Sequence, residues 1–334
     1  MGFLNWALSQ FVIQTVLHSV IIAVVVEVMI NLWHIHKPSL RIKFRFLVLL
    51  PVIYLPFYFL LYTSRSGVHF HEQVALLDSS EWMKLRLAGD ITVWYVFMAI
   101  LVLTTSFFLV KEVIPSIRYF CTARSSLPAV EAGQFPKLDK VLARLAGREY
   151  FRMPEVLLSA EAVPSVYKFV HPALVLSAHT IDMLDDEELE AVIAHELSHL
   201  TGQNYRVMQM SLILRFLMFY NPIALFIFRR ILDSGEETSD DMAVLVTGGQ
   251  LALASAILKV YQLTDSPLPA QSKGFGWRRF VPRISTLENK FYRDLIKERV
   301  ERLLHPAETS DLPYANLHVL FVAVLLLALL FFVV

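Results

Sequence analysis

A mainly α-helical, multi-span membrane protein with a cytosolic domain of helices and a small sheet is the architecture this sequence predicts. Three observations predict it. Apolar residues gather in blocks long enough to cross a bilayer. Basic residues are spread unequally over the loops between those blocks. Between the third and fourth blocks, a capped helix pattern follows a β-rich stretch.

Hydrophobic residues make up 56% and charged residues 18% of the 334 residues, with a mean hydropathy of +0.53. Soluble chains run nearer about 45–50% apolar and about 25% charged. The length suits one sizeable domain plus several spans. Net charge is zero, so no global attraction to nucleic acid is expected. The lone cysteine, Cys121, excludes an intrachain disulfide and reads as a small buried residue.

A helix needs roughly 20 apolar residues to cross the hydrocarbon core. Four stretches qualify: about 11–33, about 46–62, about 91–110, and the segment LHVLFVAVLLLALLFFVV at 317–334. No Lys or Arg precedes the first, so it is not expected to be a cleaved signal peptide. Its single charge, Glu27, is either functional or close enough to the span's end to reach the surface.

Loop charges set the expected orientation. The loop HIHKPSLRIKFR holds Lys37, Arg41, Lys43 and Arg45 and no acid, which marks the cytoplasmic side. The next loop mixes Arg65, Lys84 and Arg86 with Glu72, Asp78, Glu81 and Asp90, and reads as outside. The expected protein has its N-terminus outside the inner (plasma) membrane, with residues from about 111 to 314 cytoplasmic. Its divisions are a three-span region over 1–114, a cytosolic domain over 115–314 and a fourth span over 315–334. The basic stretch WRRFVPR at 277–283 and the lysines and arginines after it agree with a cytoplasmic face. A further apolar stretch, about 207–228, is broken by Arg215 and by Asn221-Pro222, so two helical pieces are expected there and not a clean span. Linkers are expected at 125–137 and 266–276.

The segment DDEELEAVIAHELSHLTG spans 185–202. Asp185 is a suitable N-cap with Glu188 as its capping-box partner. Leu189, Val192, Ile193, Leu197 and Leu200 keep helical spacing, and Gly202 is a suitable stop. His195 and His199 then share one helix face and can bind one metal ion, the HExxH arrangement. Two imidazoles and a carboxylate are a known catalytic Zn²⁺ ligand set that leaves the fourth position to water. Glu196 can take a proton from that water as general base. The carboxylate must come later, and DSGEETSDDMAV offers Glu236, Glu237, Asp240 and Asp241. On a helix, Glu237 and Asp241 share a face, so one can bind metal while the other bonds a ligand histidine's far nitrogen. Glu236 stays open as the alternative to Glu237. Ahead of the helix, PALVLS is strand-like, either as an exposed edge for an extended peptide or as a core strand. His171 and His179 lack metal-binding spacing to HELSH.

At these residues the sequence resembles the membrane metallopeptidases of the BlaR/MecR type, gluzincins with HExxH and ExxxD motifs. VPSVYKFVHPALVLS, DDEELEAVIAHELSHL, YNPIALFIFRRIL, EETSDDMA and KERVERLL are each similar to family segments, and the likeness is strongest over about 160–245. It implies a gluzincin-type zinc domain, with His195, His199 and Glu237 as ligands, Glu196 as catalytic base and Asp241 as the ligands' partner. Asn204 stands where the family usually has Asp, and Lys168 where it has Gly. The family's sensor members continue into an extracellular penicillin-binding domain; the sequence is expected to lack it, so beta-lactam sensing is not carried over. HtpX-like and CAAX-prenyl proteases share both motifs, but here the motifs lie only about forty residues apart and three spans precede them.

The expected activity is hydrolysis of peptide bonds in a protein or peptide substrate near or in the bilayer, as regulatory or signalling proteolysis. The alternatives are an HtpX-like or CAAX-type processing or quality-control protease, and a membrane scaffold with an idle metal site. A channel is disfavoured because the spans carry a single charge. Homodimerisation is left open.

Overall fold

The computed structural model describes residues 2–64, 84–110, 128–131, 133–148, 150–151, 153–158, 165–167, 173–201, 205–265, 287–305 and 315–330. In chain order the first elements are α1 (Gly2–Leu32), α2 (Pro38–Phe46), a 3₁₀ turn (Leu47–Leu49), α3 (Pro51–Ser64), β1 (Arg86–Ala88), β2 (Ile91–Thr92) and α4 (Val93–Phe108). Then come α5 (Pro136–Ala146), β3 (Glu155–Leu158), β4 (Ser165–Tyr167), β5 (Ala173–Leu176), α6 (Ala178–Met183) and α7 (Asp186–Thr201). The last are α8 (Tyr205–Leu217), α9 (Pro222–Thr247), α10 (Gln250–Asp265), α11 (Leu287–Leu304) and α12 (Ala315–Leu330). Two compact units result, the first of residues 1–110, 207–231 and 309–334, the second of 111–206 and 232–308.

The first unit holds most of the apolar helices. Among the described residues one helix is long and apolar enough to cross a membrane, the Phe11–Leu32 part of α1. The second expected span is divided among α2, the 3₁₀ turn and the 14-residue α3, with proline opening α2 and α3 and Pro56 inside α3. The apolar helices α4 and α12 are 16 residues each among the described residues. Residues 207–231 group with this unit, although the sequence reading put them in the 115–314 domain. As expected, two helices meet there: α8 ends at Leu217, and Asn221 caps α9, its Oδ1 accepting from the Ile223 amide at 3.0 Å. Pro222 thus starts a helix, where its missing N–H costs nothing.

Several polar side chains inside this unit are partnered. His18 Nδ1 lies 2.8 Å from the Tyr54 hydroxyl, and Asn221 Nδ2 donates to Ser19 Oγ at 3.0 Å. Glu27 receives Arg45 Nε at 2.8 Å, and Arg45 also donates to the Arg230 carbonyl at 3.2 Å. Burying a charge is costly unless it is paired, and this pair explains how α1 carries a carboxylate.

The second unit is built on α7. The α5 sequence PKLDKVLARLA places Leu138, Val141 and Leu145 on one face, and all three are fully buried. Its other face sends Arg144 to Glu190 of α7 at 2.7 Å. The sheet has the order β3-β5-β4, with β3 parallel and β4 antiparallel to β5. All four residues of β5 are buried, as a strand covered on both faces must be. PALVLS is therefore the central strand and not an edge. On the far side, residues 128–130 cover β3 through a bridge of Ala129 to Leu157. Among the described residues the open edge is β4, which packs against α7. The core unites Leu174 and Leu176 of β5, Leu189, Ile193 and Leu197 of α7, Ala243 and Val246 of α9, and residues of α10 and α11.

Cys121, Lys168, His171, Asn204, the 266–276 linker and the 277–283 basic stretch lie outside the described residues.

Candidate metal centre

The centre starts from the cap of α7. The Asp185 amide donates to Glu188 Oε2 at 2.9 Å, and the Glu188 amide donates to Asp185 Oδ1 at 2.8 Å, the reciprocal box the sequence predicts. Glu188 also accepts from Ser255 Oγ and Lys259 Nζ of α10, each at 2.6 Å. Burial pushes the Glu188 carboxyl up, but these donors outweigh it and hold the group below its ordinary range.

One helical turn separates His195 from His199, and their rings stand perpendicular with centroids 5.0 Å apart. Ala194, Leu197 and Ser198 around them are buried, and Leu200 is partly buried. Glu196, between the histidines in sequence, is half-buried.

Across from α7, α9 presents Glu236. Its Oε2 lies 3.6 Å from His195 Nε2 and its Oε1 lies 3.8 Å from His199 Nε2. Donor atoms of His195, His199 and Glu236 all lie within 4.8 Å of one another. The outer nitrogens are held as well. His195 Nδ1 is 2.8 Å from Asp240 Oδ1, and His199 Nδ1 is 3.0 Å from Ser239 Oγ. Both rings therefore turn Nε2 inward, with carboxylate or hydroxyl partners behind, as metal-binding histidines require.

The cluster takes in Glu236, the alternative that the sequence reading left open beside Glu237. Glu237 and Asp241, expected as ligand and partner, lie one residue further along α9 than Glu236 and Asp240. They meet Arg302 of α11, which donates to the Glu237 carbonyl at 3.1 Å and pairs with Asp241 Oδ1. Glu236 and Asp240 keep the same i, i+4 spacing and share a face in the same way. A one-residue shift turns a helix by roughly 100°, which exchanges one pair for the other. Asp240 is fully buried, whereas half of the Asp241 side chain is exposed.

Two residues the sequence reading missed complete the centre. One is Ser239. The other is Arg299 of α11, whose Nε and Nη2 grip Asp240 at 2.8 and 2.6 Å, and whose Nη1 reaches Glu236 Oε2 at 3.2 Å. Burial lowers the His195 pKa, but hydrogen bonding to Asp240 and Glu236 outweighs that and lifts it to about 9. Burial pushes Asp240 up, while Arg299 and His195 hold it down at about 2.

The donor set fits a catalytic divalent metal. Two imidazole nitrogens and one carboxylate converge, and three ligands leave a position for water. His179 of α6 is not part of the cluster.

The family model of the BlaR1 peptidase M56 matches residues 66–272, and the chain belongs to this peptidase family. Members hydrolyse peptide bonds, so the substrate class is protein. Among curated relatives, a "Protease HtpX homolog" of Ralstonia nicotianae is 24% identical over 218 residues, 53% of this chain and 76% of that protein. A "Protease HtpX homolog" of Nostoc sp. is 35% identical over 80 residues, 23% of this chain and 28% of the relative. The "Methicillin resistance mecR1 protein" of Staphylococcus aureus is 29% identical over 110 residues, 30% of this chain and 19% of the relative. The matched segment thus spans a small part of the second and third of these relatives.

Proposed function

We propose that this chain is an integral-membrane zinc endopeptidase. His195 and His199, through Nε2, and the Glu236 carboxylate would hold the metal. Zinc bound there supplies Lewis acidity to the scissile carbonyl and makes water nucleophilic near neutral pH. Glu196 takes the proton of the attacking water on its carboxylate and returns it to the leaving amine. Asp240 and Ser239 hold the two imidazoles in orientation. The β4 edge, beside the HExxH helix, receives the substrate as an added extended strand. Crossings by α1, the α2–α3 region, α4 and α12 leave the second unit cytoplasmic, where it clips a cytosolic regulator or a membrane protein.

The observation that carries this reading is the convergence of two inward Nε2 atoms on Glu236, each imidazole backed through Nδ1. The experiment that tests it is Glu196→Gln in purified full-length protein. Cleavage of a peptide library should vanish while zinc content stays at the wild-type level; undiminished cleavage rejects the mechanism.

A processing or quality-control protease of the HtpX kind is a second reading of the same site. It is favoured by the match to the Ralstonia relative, which covers 76% of that protein.

A further inference from the structure

Behind the metal-ligating groups lies a clamp on a different helix. Arg299 and Arg302 sit three residues apart on α11, so they lie on one face. They meet neighbouring positions of α9 separately. Arg302 takes the outer pair, Glu237 through its carbonyl and Asp241 through its carboxylate. Arg299 takes the inner pair, with two bonds to Asp240 and one to Glu236.

The inner contact is buried: Arg299 is 7% exposed and Asp240 0%. A planar guanidinium can engage both oxygens of a carboxylate in one orientation. With both Asp240 oxygens engaged by Arg299, Oδ1 is held 2.8 Å from His195 Nδ1, an ion-pair contact on the side of the ring away from Glu236. The third bond anchors Glu236 Oε2 at the same time. One side chain, remote in sequence from HELSH, thereby sets the orientation of one imidazole and one carboxylate of the centre.

A surface ion pair would not do this, because exposed pairs are weakly held and screened. The net charge also argues for geometry. A cation 3.2 Å from Glu236 opposes the binding of a second cation, so the arginine does not serve as an electrostatic attractor. Its benefit is preorganisation.

Resting on the proposed zinc function, we propose that Arg299 is a positioning residue of the metal centre, acting through Asp240 on His195 and directly on Glu236. A lysine in its place keeps the charge but holds only one direction at a time. Zinc affinity depends on such partners by about 10–100-fold.

The test is zinc affinity of the detergent-purified full-length protein, measured by competition with a chromogenic chelator. Four proteins are compared: wild type, Arg299→Lys, Arg299→Met and Arg302→Met. Circular dichroism and melting temperature of the chelator-treated proteins report folding. Arg299→Lys should bind zinc about 10-fold or more weakly, with kcat reduced and KM little changed. Arg302→Met should stay within about 2-fold, below the range expected for a ligand's partner. If Arg299→Met does not fold, the lysine variant still decides. A folded Arg299→Lys protein with wild-type zinc affinity and kcat overturns the inference alone. Equal losses in Arg299→Lys and Arg302→Met also overturn it, since they mark a general role of α11. A wild-type protein that binds no zinc overturns the proposed function and this inference together.

Discussion

Asp240 Oδ1 stands 2.8 Å from His195 Nδ1, while Nε2 of the same ring faces Glu236 at 3.6 Å. The corresponding contact on His199 comes from a hydroxyl, Ser239, at 3.0 Å. The two imidazoles are therefore backed unequally, by a buried carboxylate and by a neutral group. Charge-assisted bonds are roughly twice as strong as neutral ones. Asp240→Asn should lower zinc affinity by about 10–100-fold, and Ser239→Ala should lower it less. Chelator competition on the two variants checks the order; a larger loss from Ser239→Ala would reverse the ranking of the two partners.

The pH dependence follows from the same contact. His195 is held at about 9, above its ordinary 6.5, by Asp240 and Glu236 against the effect of burial. A raised histidine pKa adds stability that is full below about 6.5 and is lost as pH climbs through about 9. Asp240, held down at about 2, contributes above its ordinary range and loses that contribution as pH falls toward 2. Chelator-treated protein should thus melt at lower temperature at pH 9.5 than at pH 6. Zinc needs a neutral imidazole, so zinc affinity should strengthen as pH rises over the same window. Zinc titrations at several pH values check the sign, and flat affinity would contradict it.

The cap of α7 makes a separate prediction about stability. Glu188 accepts from the Asp185 amide, Ser255 and Lys259 and is 3% exposed. Glu188→Ala should destabilise the second unit by about 1–3 kcal/mol, since cap and network go together. Lys259 is 40% exposed and can return to solvent, which limits the loss. Thermal melts of the two proteins measure it. Asp185→Ala, which removes the cap alone, should cost about 1 kcal/mol.

Much of the centre was legible in the sequence because local rules set it. The capping box, the apolar spacing and the i, i+4 histidines all lie within one helix, and α7 forms as the pattern dictates. The break at Asn221-Pro222 was legible for the same reason. The α9 register was not. Glu236/Asp240 and Glu237/Asp241 have identical spacing, so the choice depends on which face of α9 meets α7. Leu245, four residues after Asp241 on the outer face, is 69% exposed. Ala243, fully buried, lies on the inner face with Glu236 and Asp240. Arg299 was out of reach because its partners lie about sixty residues away. The place of PALVLS inside the sheet likewise depends on pairing with β3 and β4, which strand propensity does not specify.

Glu236 and Glu237 compete for the third place in the proposed ligand set. Zinc per protein molecule, measured by inductively coupled plasma mass spectrometry after gel filtration, tests the choice most directly across wild type, Glu236→Ala and Glu237→Ala. One zinc should remain bound in the wild type and in Glu237→Ala, and should be lost from Glu236→Ala. Full zinc in Glu236→Ala together with loss from Glu237→Ala would contradict the account.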